Sequence, residues 1–339
     1  MLRNEARLRE YLRDSLRELR GGFTIEPLSG GQSNPTFRLR AHERSYVLRK
    51  QPEGELLPSA HAVDREYRVI TALAQTDVPV PRTYGYCDDR SIIGTPFFVM
   101  DFADGRHFWD PALPELDAAA RGALWEDINS VIARLHNVDY AAIGLADYGR
   151  PGNYFGRQIA RWSSQYRASE TQRIESMERL MQWLPANIIA DETSAIVHGD
   201  FRLDNLIVHP TQPRVIAVLD WELSTLGHPL ADFAYHVMAW RVTWDEFRGM
   251  ADKDILALGI PGEREYVADY ARRTHRERID RRDWEFCVVF GMFRLAAILQ
   301  GIAKRVLTGT AADAQGAEVG RRARTIADVA WRQVEALGA

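Results

Sequence analysis

Residues 194–222, SAIVHGDFRLDNLIVHPTQPRVIAVLDWE, decide how the rest of this 339-residue chain is read. Three apolar, largely β-branched runs, 195–197, 206–208 and 215–219, are short and bounded by polar or proline-containing segments, so they predict buried strands. The polar residues between them are then held on turns. Asp200 and Asn205 lie five apart on the first loop, and Asp220 follows the last run.

Transfer of a γ-phosphoryl group asks little covalent chemistry of a protein. It needs a base for the acceptor hydroxyl and ligands for the magnesium that neutralises phosphate charge, and this stretch supplies groups of both kinds. His198-Gly199-Asp200 with Asn205, followed by Asp220, resembles the H-G-D-x-x-x-x-N and following Asp of aminoglycoside phosphotransferases, choline kinases and their relatives. The longer match, HGDFRLDNLIVHP and then VLDWELSTLGHPLADFAY, more narrowly resembles the phosphotransferase domain at the N-terminus of some acyl-CoA dehydrogenases.

The resemblance implies an α+β, bilobal protein-kinase-like fold with a small antiparallel-sheet N-lobe, 1–101, and a mainly helical C-lobe, 102–339. It implies ATP and Mg2+ as cofactors and a small-molecule hydroxyl as acceptor. Asp200 becomes the catalytic base, Asn205 and Asp220 the magnesium ligands, and His198 an architectural residue. Asp204 reads as a surface or substrate-facing carboxylate, since the spacing from Asp200 selects Asn205.

Composition agrees with an ordinary folded protein: 46% hydrophobic and 27% charged residues, enough chain for two lobes sharing a cleft. A net charge of −4 provides no global reason to expect nucleic acid or an anionic membrane as partner. Cys87 and Cys287 lie far apart with no metal-binding spacing, which fits a reducing cytosol. The first twenty residues lack the apolar core of a secretion signal and carry acids that disfavour a mitochondrial presequence. A cytoplasmic location is therefore expected. Leu8, Leu12, Leu16 and Leu19 instead predict a helix docked on the body.

Beyond Gly21-Gly22, residues 23–51 read as strand, glycine-containing turn, strand, polar turn, strand, a nucleotide-covering sheet. Gly30 and Gly31 would let the backbone approach phosphates, with Gln32, Ser33 and Asn34 as added donors. By the resemblance, a cation on the third strand holds phosphates and pairs with a Glu on the next helix. Neighbouring strand residues face opposite sides, so only one of Arg49 and Lys50 can point at the nucleotide. Arg49 is favoured because relatives often carry Arg after Val-Leu. Val63, Tyr67, Ile70 and Leu73 predict a helix across 60–75, and Glu66 on it is the expected partner. The strand at 96–100 then opens into a hinge, where the backbone of Met100 to Phe102 is placed to read adenine.

In the second part, 116–138 is expected as a central support helix and 153–183 as helical and aromatic-rich, with Arg157 and Arg161 candidates for acyl-CoA phosphates. Pro229 suits the first turn of a helix carrying Asp232, which the resemblance makes a brace for the catalytic loop. Residues 245–337 read as four helices, that near 284–307 the most buried, with a loop over the Ala/Gly-rich 309–320. From 241 to 339 there are 17 Lys plus Arg against 15 Asp plus Glu, a balance that disfavours an acidic, polycation-binding acceptor pocket. The resemblance implies a hydroxyacyl-CoA or hydroxy acid acceptor. The alternatives are an aminoglycoside or choline-type phosphotransferase and a nucleotide-binding regulatory module without turnover. Oligomeric state is not legible.

Overall fold

The computed structural model describes residues 2–28, 34–42, 44–54, 62–308 and 316–338, without the side chains of 316–319. The first part runs α1 (Glu5–Ser15), β1 (Thr24–Pro27), β2 (Thr36–Arg40), β3 (Ser45–Lys50), α2 (Val63–Leu73), β4 (Thr83–Cys87), α3 (Arg90–Ile93) and β5 (Phe97–Asp101). The second runs α4 (Ala118–His136), α5 (Tyr154–Ser169), α6 (Glu175–Ala186), β6 (Ala195–Val197), β7 (Leu206–Val208), β8 (Val215–Val218) and β9 (Thr225–Gly227). It ends with α7 (Pro229–Val237), α8 (Trp244–Phe247), α9 (Glu263–Arg273), α10 (Arg281–Leu307) and α11 (Gly316–Ala336).

The first five strands form one antiparallel sheet in the order β1-β2-β3-β5-β4. Its two faces are covered differently. Tyr46 and Leu48 of β3 pack with Phe97 and Val99 against Leu8 and Leu12 of α1 and Leu16 and Leu19 just beyond it. Burying each of those leucines contributes roughly 1.5–3 kcal/mol, which holds the amino-terminal helix on the sheet. Val47 points the other way, into the large core with Val63, Val69 and Ile70 of α2 and Phe98 and Met100 of β5. Because side chains alternate along a strand, Arg49 shares the face of Val47, and Lys50 that of Tyr46 and Leu48.

The second part is mainly helical. Two small ladders, β6 with β9 and β7 with β8, carry the loops between them, and α4 and α7 pack under them. The helix α10 is long and apolar enough to cross a membrane by length and composition, yet 78% of that apolar window is buried inside the protein. Packing on α5, α7 and α11 accounts for its composition.

Two expectations need correction. The helical stretch 153–183 is two helices, because the buried Gln300 amide donates to Ser169 O at 2.9 Å and Thr171 Oγ1 at 2.8 Å, drawing the chain out of helical register. No glycine or proline marks that break. The loop expected over 309–320 ends earlier, since 316–320 already belong to α11; 309–315 lie outside the described residues.

Candidate active site

β6 ends at Val197 and delivers His198, Gly199 and Asp200 into the cleft between the sheet and the helical body. Gly199 has φ +83°, and a Cβ there would sit 2.6 Å from the Leu223 carbonyl oxygen, so this turn requires glycine. The backbone N–H groups of His198 and Gly199 donate to the two oxygens of Asp232, at 2.7 and 2.8 Å. Asp232 is buried on α7 and also meets His136 Nε2 at 3.3 Å. Burial alone would raise its carboxyl, but His136 and the donors around it more than offset that, and the group is held below its ordinary range. His198 Nε2 bonds the Leu219 carbonyl at 2.8 Å, and the Asp200 N–H donates to His198 Nδ1 at 3.1 Å. The histidine is thus a strut between the loop and the chain just before Asp220.

Asn205 donates through Nδ2 to the Asp200 carbonyl at 2.8 Å and to Asp200 Oδ2 at 3.0 Å. The Leu219 N–H donates to Asn205 O at 2.8 Å, which brings Asp220 beside Asn205. Asp220 itself sits at φ +64°, a left-handed conformation that a non-glycine residue adopts at a cost. The three polar residues singled out in the sequence therefore meet in one place.

Opposite them stands Arg49. Its Nε lies 2.7 Å from Glu66 Oε2 and its Nη2 2.6 Å from Asp220 Oδ1, with Glu222 Oε2 at 3.9 Å. Lys50 faces the other side of the sheet and pairs with Glu53 at 3.3 Å, so of the two basic residues the cleft receives Arg49. Burial pushes the Glu66 carboxyl up to about 7, against the pull of Arg49. Among the described residues Glu66, Asp220 and Glu222 all approach this one guanidinium.

Other expected nucleotide contacts are placed differently. Gly30, Gly31 and Ser33 lie outside the described residues. Asn34, expected as a phosphate donor, is fully buried and donates to Glu66 Oε1 at 2.7 Å, so it braces the ion pair instead. At the hinge, Met100 is buried in the sheet, opposite Val47 and Thr83. The Phe102 N–H is spent on Ser45 O at 3.2 Å and that of Asp101 on Arg82 O at 2.8 Å, so neither donor is open to an adenine edge.

Several cleft residues escaped sequence reasoning. Arg202 places Nε 3.1 Å from Asp200 Oδ1 and Nη2 3.1 Å from Asp204 Oδ2. Burial works against its charge, but Asp200 and Asp204 more than offset that and raise its guanidinium. Asp204 also meets Arg248 Nη1 at 3.2 Å and is only 13% exposed, so the surface alternative for it fails. The Asp-x-Arg-x-Asp spacing held part of the signal, but the turn of 3-10 helix at Leu203–Asn205 is what brings Asp204 back to Arg202. Tyr235 of α7 faces Asp200; burial first, then that carboxylate, raises its phenol. Arg294 of α10 reaches the Gly199 carbonyl. Tyr235 closes the longer match quoted above without a role being assigned to it there, and nothing local in the sequence announces Arg294.

Beside Asp200 and Arg202 a groove opens between α7, α8 and α10, lined by apolar Trp109, Tyr235, Met238, Phe247, Met292 and Leu295, with Arg202 and Arg248 at polar positions. The Arg248 guanidinium lies 5.0 Å from the Trp109 ring centroid. Burial, then nearby Arg202 and Arg322, lower its guanidinium against the opposing pull of Asp204. Asp204 lines the groove with Arg202 and Arg248 and pairs with both. Arg157, in contrast, is spent on the Gly152 and Arg150 carbonyls and closes its own loop, which corrects the expectation that it meets acceptor phosphates.

A small antiparallel sheet over a helical body, with this cluster in the cleft between them, is the architecture of kinase-like phosphotransferases. The sequence model of the phosphotransferase enzyme family matches residues 24–285, and the chain belongs to that family. Acyl-CoA dehydrogenase family member 10 of Mus musculus is 46% identical over 313 residues, covering 92% of this chain and 29% of that protein. The chain spans well under half the length of the curated relatives it matches. A Ralstonia eutropha protein, provisionally called an aminoglycoside phosphotransferase, has a solved structure with TM-score 0.89 and 50% identity over 98% of both chains. The aminoglycoside phosphotransferase APH(4)-Ia, solved with AMP-PNP and hygromycin B, shares the fold alone, at TM-score 0.61 and 16% identity over 95% of this chain and 98% of that one.

Proposed function

We propose that the protein is an ATP-dependent small-molecule kinase that transfers the γ-phosphoryl group of Mg-ATP to a hydroxyl of a hydroxyacyl-CoA or hydroxy acid. The observation that carries the reading is the convergence of Asp200, Asn205 and Asp220, with Asn205 Nδ2 3.0 Å from the Asp200 carboxylate. Asp200 accepts the proton of the acceptor hydroxyl as its oxygen attacks. Arg202 and Asn205 orient that carboxylate from two sides. The Asp220 carboxylate and the Asn205 amide oxygen are the atoms that would hold magnesium, and they lie side by side because the Leu219 N–H donates to Asn205 O. Bound there, the metal would supply neutralisation of the phosphate charge. Arg49, fixed by Glu66, presents a planar fork to phosphate oxygens.

The acceptor half of the proposal is supported by the groove. Its aromatic and aliphatic lining suits an acyl chain, and Arg248, the more exposed of its two arginines, suits an anionic or carbonyl oxygen in competition with Asp204. The names of the curated relatives point the same way.

The test is ADP release from Mg-ATP with 3- and 4-hydroxyacyl-CoAs, free hydroxy acids, choline and aminoglycosides, with Asp200→Asn as control. Release that depends on a hydroxyacyl compound and is lost in the variant supports the proposal. Release with choline or an aminoglycoside alone overturns the acceptor assignment. ATP binding without release for any acceptor favours a regulatory module.

A further inference from the structure

The peptide linking Gly199 to Asp200 sets the direction from which the Asp200 side chain enters the cleft. Its N–H is held by His198 Nδ1 at 3.1 Å. Its carbonyl is held from the opposite side of the molecule, by Nη2 of Arg294. Asp232 clamps the two preceding N–H groups but cannot reach this carbonyl, since a carboxylate has nothing to donate. Among the described residues Arg294 alone donates to it.

Arg294 is an unusual residue for its place. Between Glu285 and Lys304 it is the sole charged residue of α10, flanked by Phe293 and Leu295, and it is 6% exposed. No carboxylate lies within ion-pair distance of it among the described residues. Its guanidinium is instead sandwiched by rings, its carbon 4.9 Å from the centroid of Tyr235 and 5.5 Å from that of Trp162. Burying a cation without a counter-charge is costly, and a methionine of similar length would pack there at less cost. A role in packing alone does not account for the charge. Arg294 touches two groups that bear on Asp200: the carbonyl of the preceding residue, and the Tyr235 ring whose phenol faces the carboxylate.

We propose that Arg294 is a positioning residue for phosphoryl transfer: from the C-terminal helices it holds the Gly199 carbonyl and the Tyr235 ring, and so aims the Asp200 carboxylate at the acceptor hydroxyl. The inference rests on the kinase reading of the site. It makes α10 part of the catalytic apparatus, although the sequence motif ends at Tyr235. Misplacing a catalytic group by about 1 Å costs on the order of 10²-fold in rate, which sets the expected effect.

The experiment compares wild type, Arg294→Lys and Arg294→Met in the same ADP-release assay, alongside ATP binding and thermal unfolding. Arg294→Met is expected to lower kcat about 10²-fold with the KM values for ATP and acceptor within about twofold, and added guanidinium or methylguanidinium should recover part of kcat. Arg294→Lys keeps the charge but lacks the fork, so it should fall between the two and covers the case in which Arg294→Met does not fold. Unchanged kcat in a folded variant overturns the inference. So does a loss confined to the acceptor KM, which would make Arg294 a substrate ligand, or a kcat loss that guanidinium leaves untouched. A wild type silent with every acceptor would instead overturn the kinase reading itself.

Discussion

The loop that carries Asp200 and the cluster around Arg49 face each other across the cleft, and they are held in opposite ways. On the loop, donors and acceptors match: two N–H groups for the two oxygens of Asp232, one guanidinium for the Gly199 carbonyl, one imidazole between Leu219 O and the Asp200 N–H. Around Arg49 they do not, for one cation stands among Glu66, Asp220 and Glu222. The carboxylate proposed as the base is therefore positioned by contacts within the chain. On the side proposed to meet the nucleotide, Arg49 bridges Glu66 and Asp220, an arrangement that a bound phosphate or cation would have to rearrange.

This contrast can be broken in graded steps. Removing the base comes first: Asp200→Asn should lower turnover by roughly 10²- to 10⁴-fold while ATP binding, followed by fluorescence or calorimetry, stays nearly unchanged. Retained turnover would sink the assignment of chemistry. Next comes the brace. Asp232→Ala strands two buried N–H groups and His136, so urea unfolding should show a loss of about 3 kcal/mol, with activity falling in parallel. A near-neutral change would mean that the loop is not clamped as described.

On the nucleotide side the effects are smaller. Arg49→Lys keeps a charge but cannot reach Glu66 and Asp220 with a planar fork, so the Kd for ATP should rise about tenfold with little change in stability. An unaltered Kd would detach Arg49 from the phosphates.

The smallest effects distinguish the two regions by sign. Buried His228 and His236 are lowered to about 4 and about 3, chiefly by desolvation. The unfolded chain then binds more protons than the folded one below pH ~6.5, so stability falls on acidification from there toward pH ~4. Glu66 behaves the other way. Its folded value near 7 lies above the unfolded ~4.3, so its contribution is present at low pH and is lost as pH rises through ~7 in nucleotide-free protein. Melting curves of Glu66→Gln and His236→Phe across pH 4–8 should diverge from wild type in opposite directions, each on the order of 1 kcal/mol or more. Parallel curves would remove the distinction.

Much of this could be read from the chain because the decisive groups are local in sequence. Asp200 and Asn205 share one loop, Asp220 follows the next hairpin, and short β-branched runs between polar turns predict the strands that carry them. The choice between Arg49 and Lys50 lay half within reach. Alternation shows that only one can face the cleft, but which face is the cleft depends on α1 covering the side of Tyr46 and Leu48. Asn34 was misjudged for a related reason, since a donor beside a glycine turn looks solvent-facing until α2 brings Glu66 against it. The break between α5 and α6 is invisible for the same kind of reason: its cause, Gln300, lies well over a hundred residues away.

By itself the sequence determined the short strands and the turns that hold Asp200, Asn205 and Asp220, because period and polarity are local, and the resemblance of that motif to a known family implied the kinase-like architecture and the brace on Asp232. Tertiary structure alone decided what aims and surrounds those three residues. Arg294 and Tyr235 meet only because α10 packs on α7, Arg248 arrives on the turn after α8, and a lone arginine in an apolar helix announces no partner until packing puts a carbonyl in front of it.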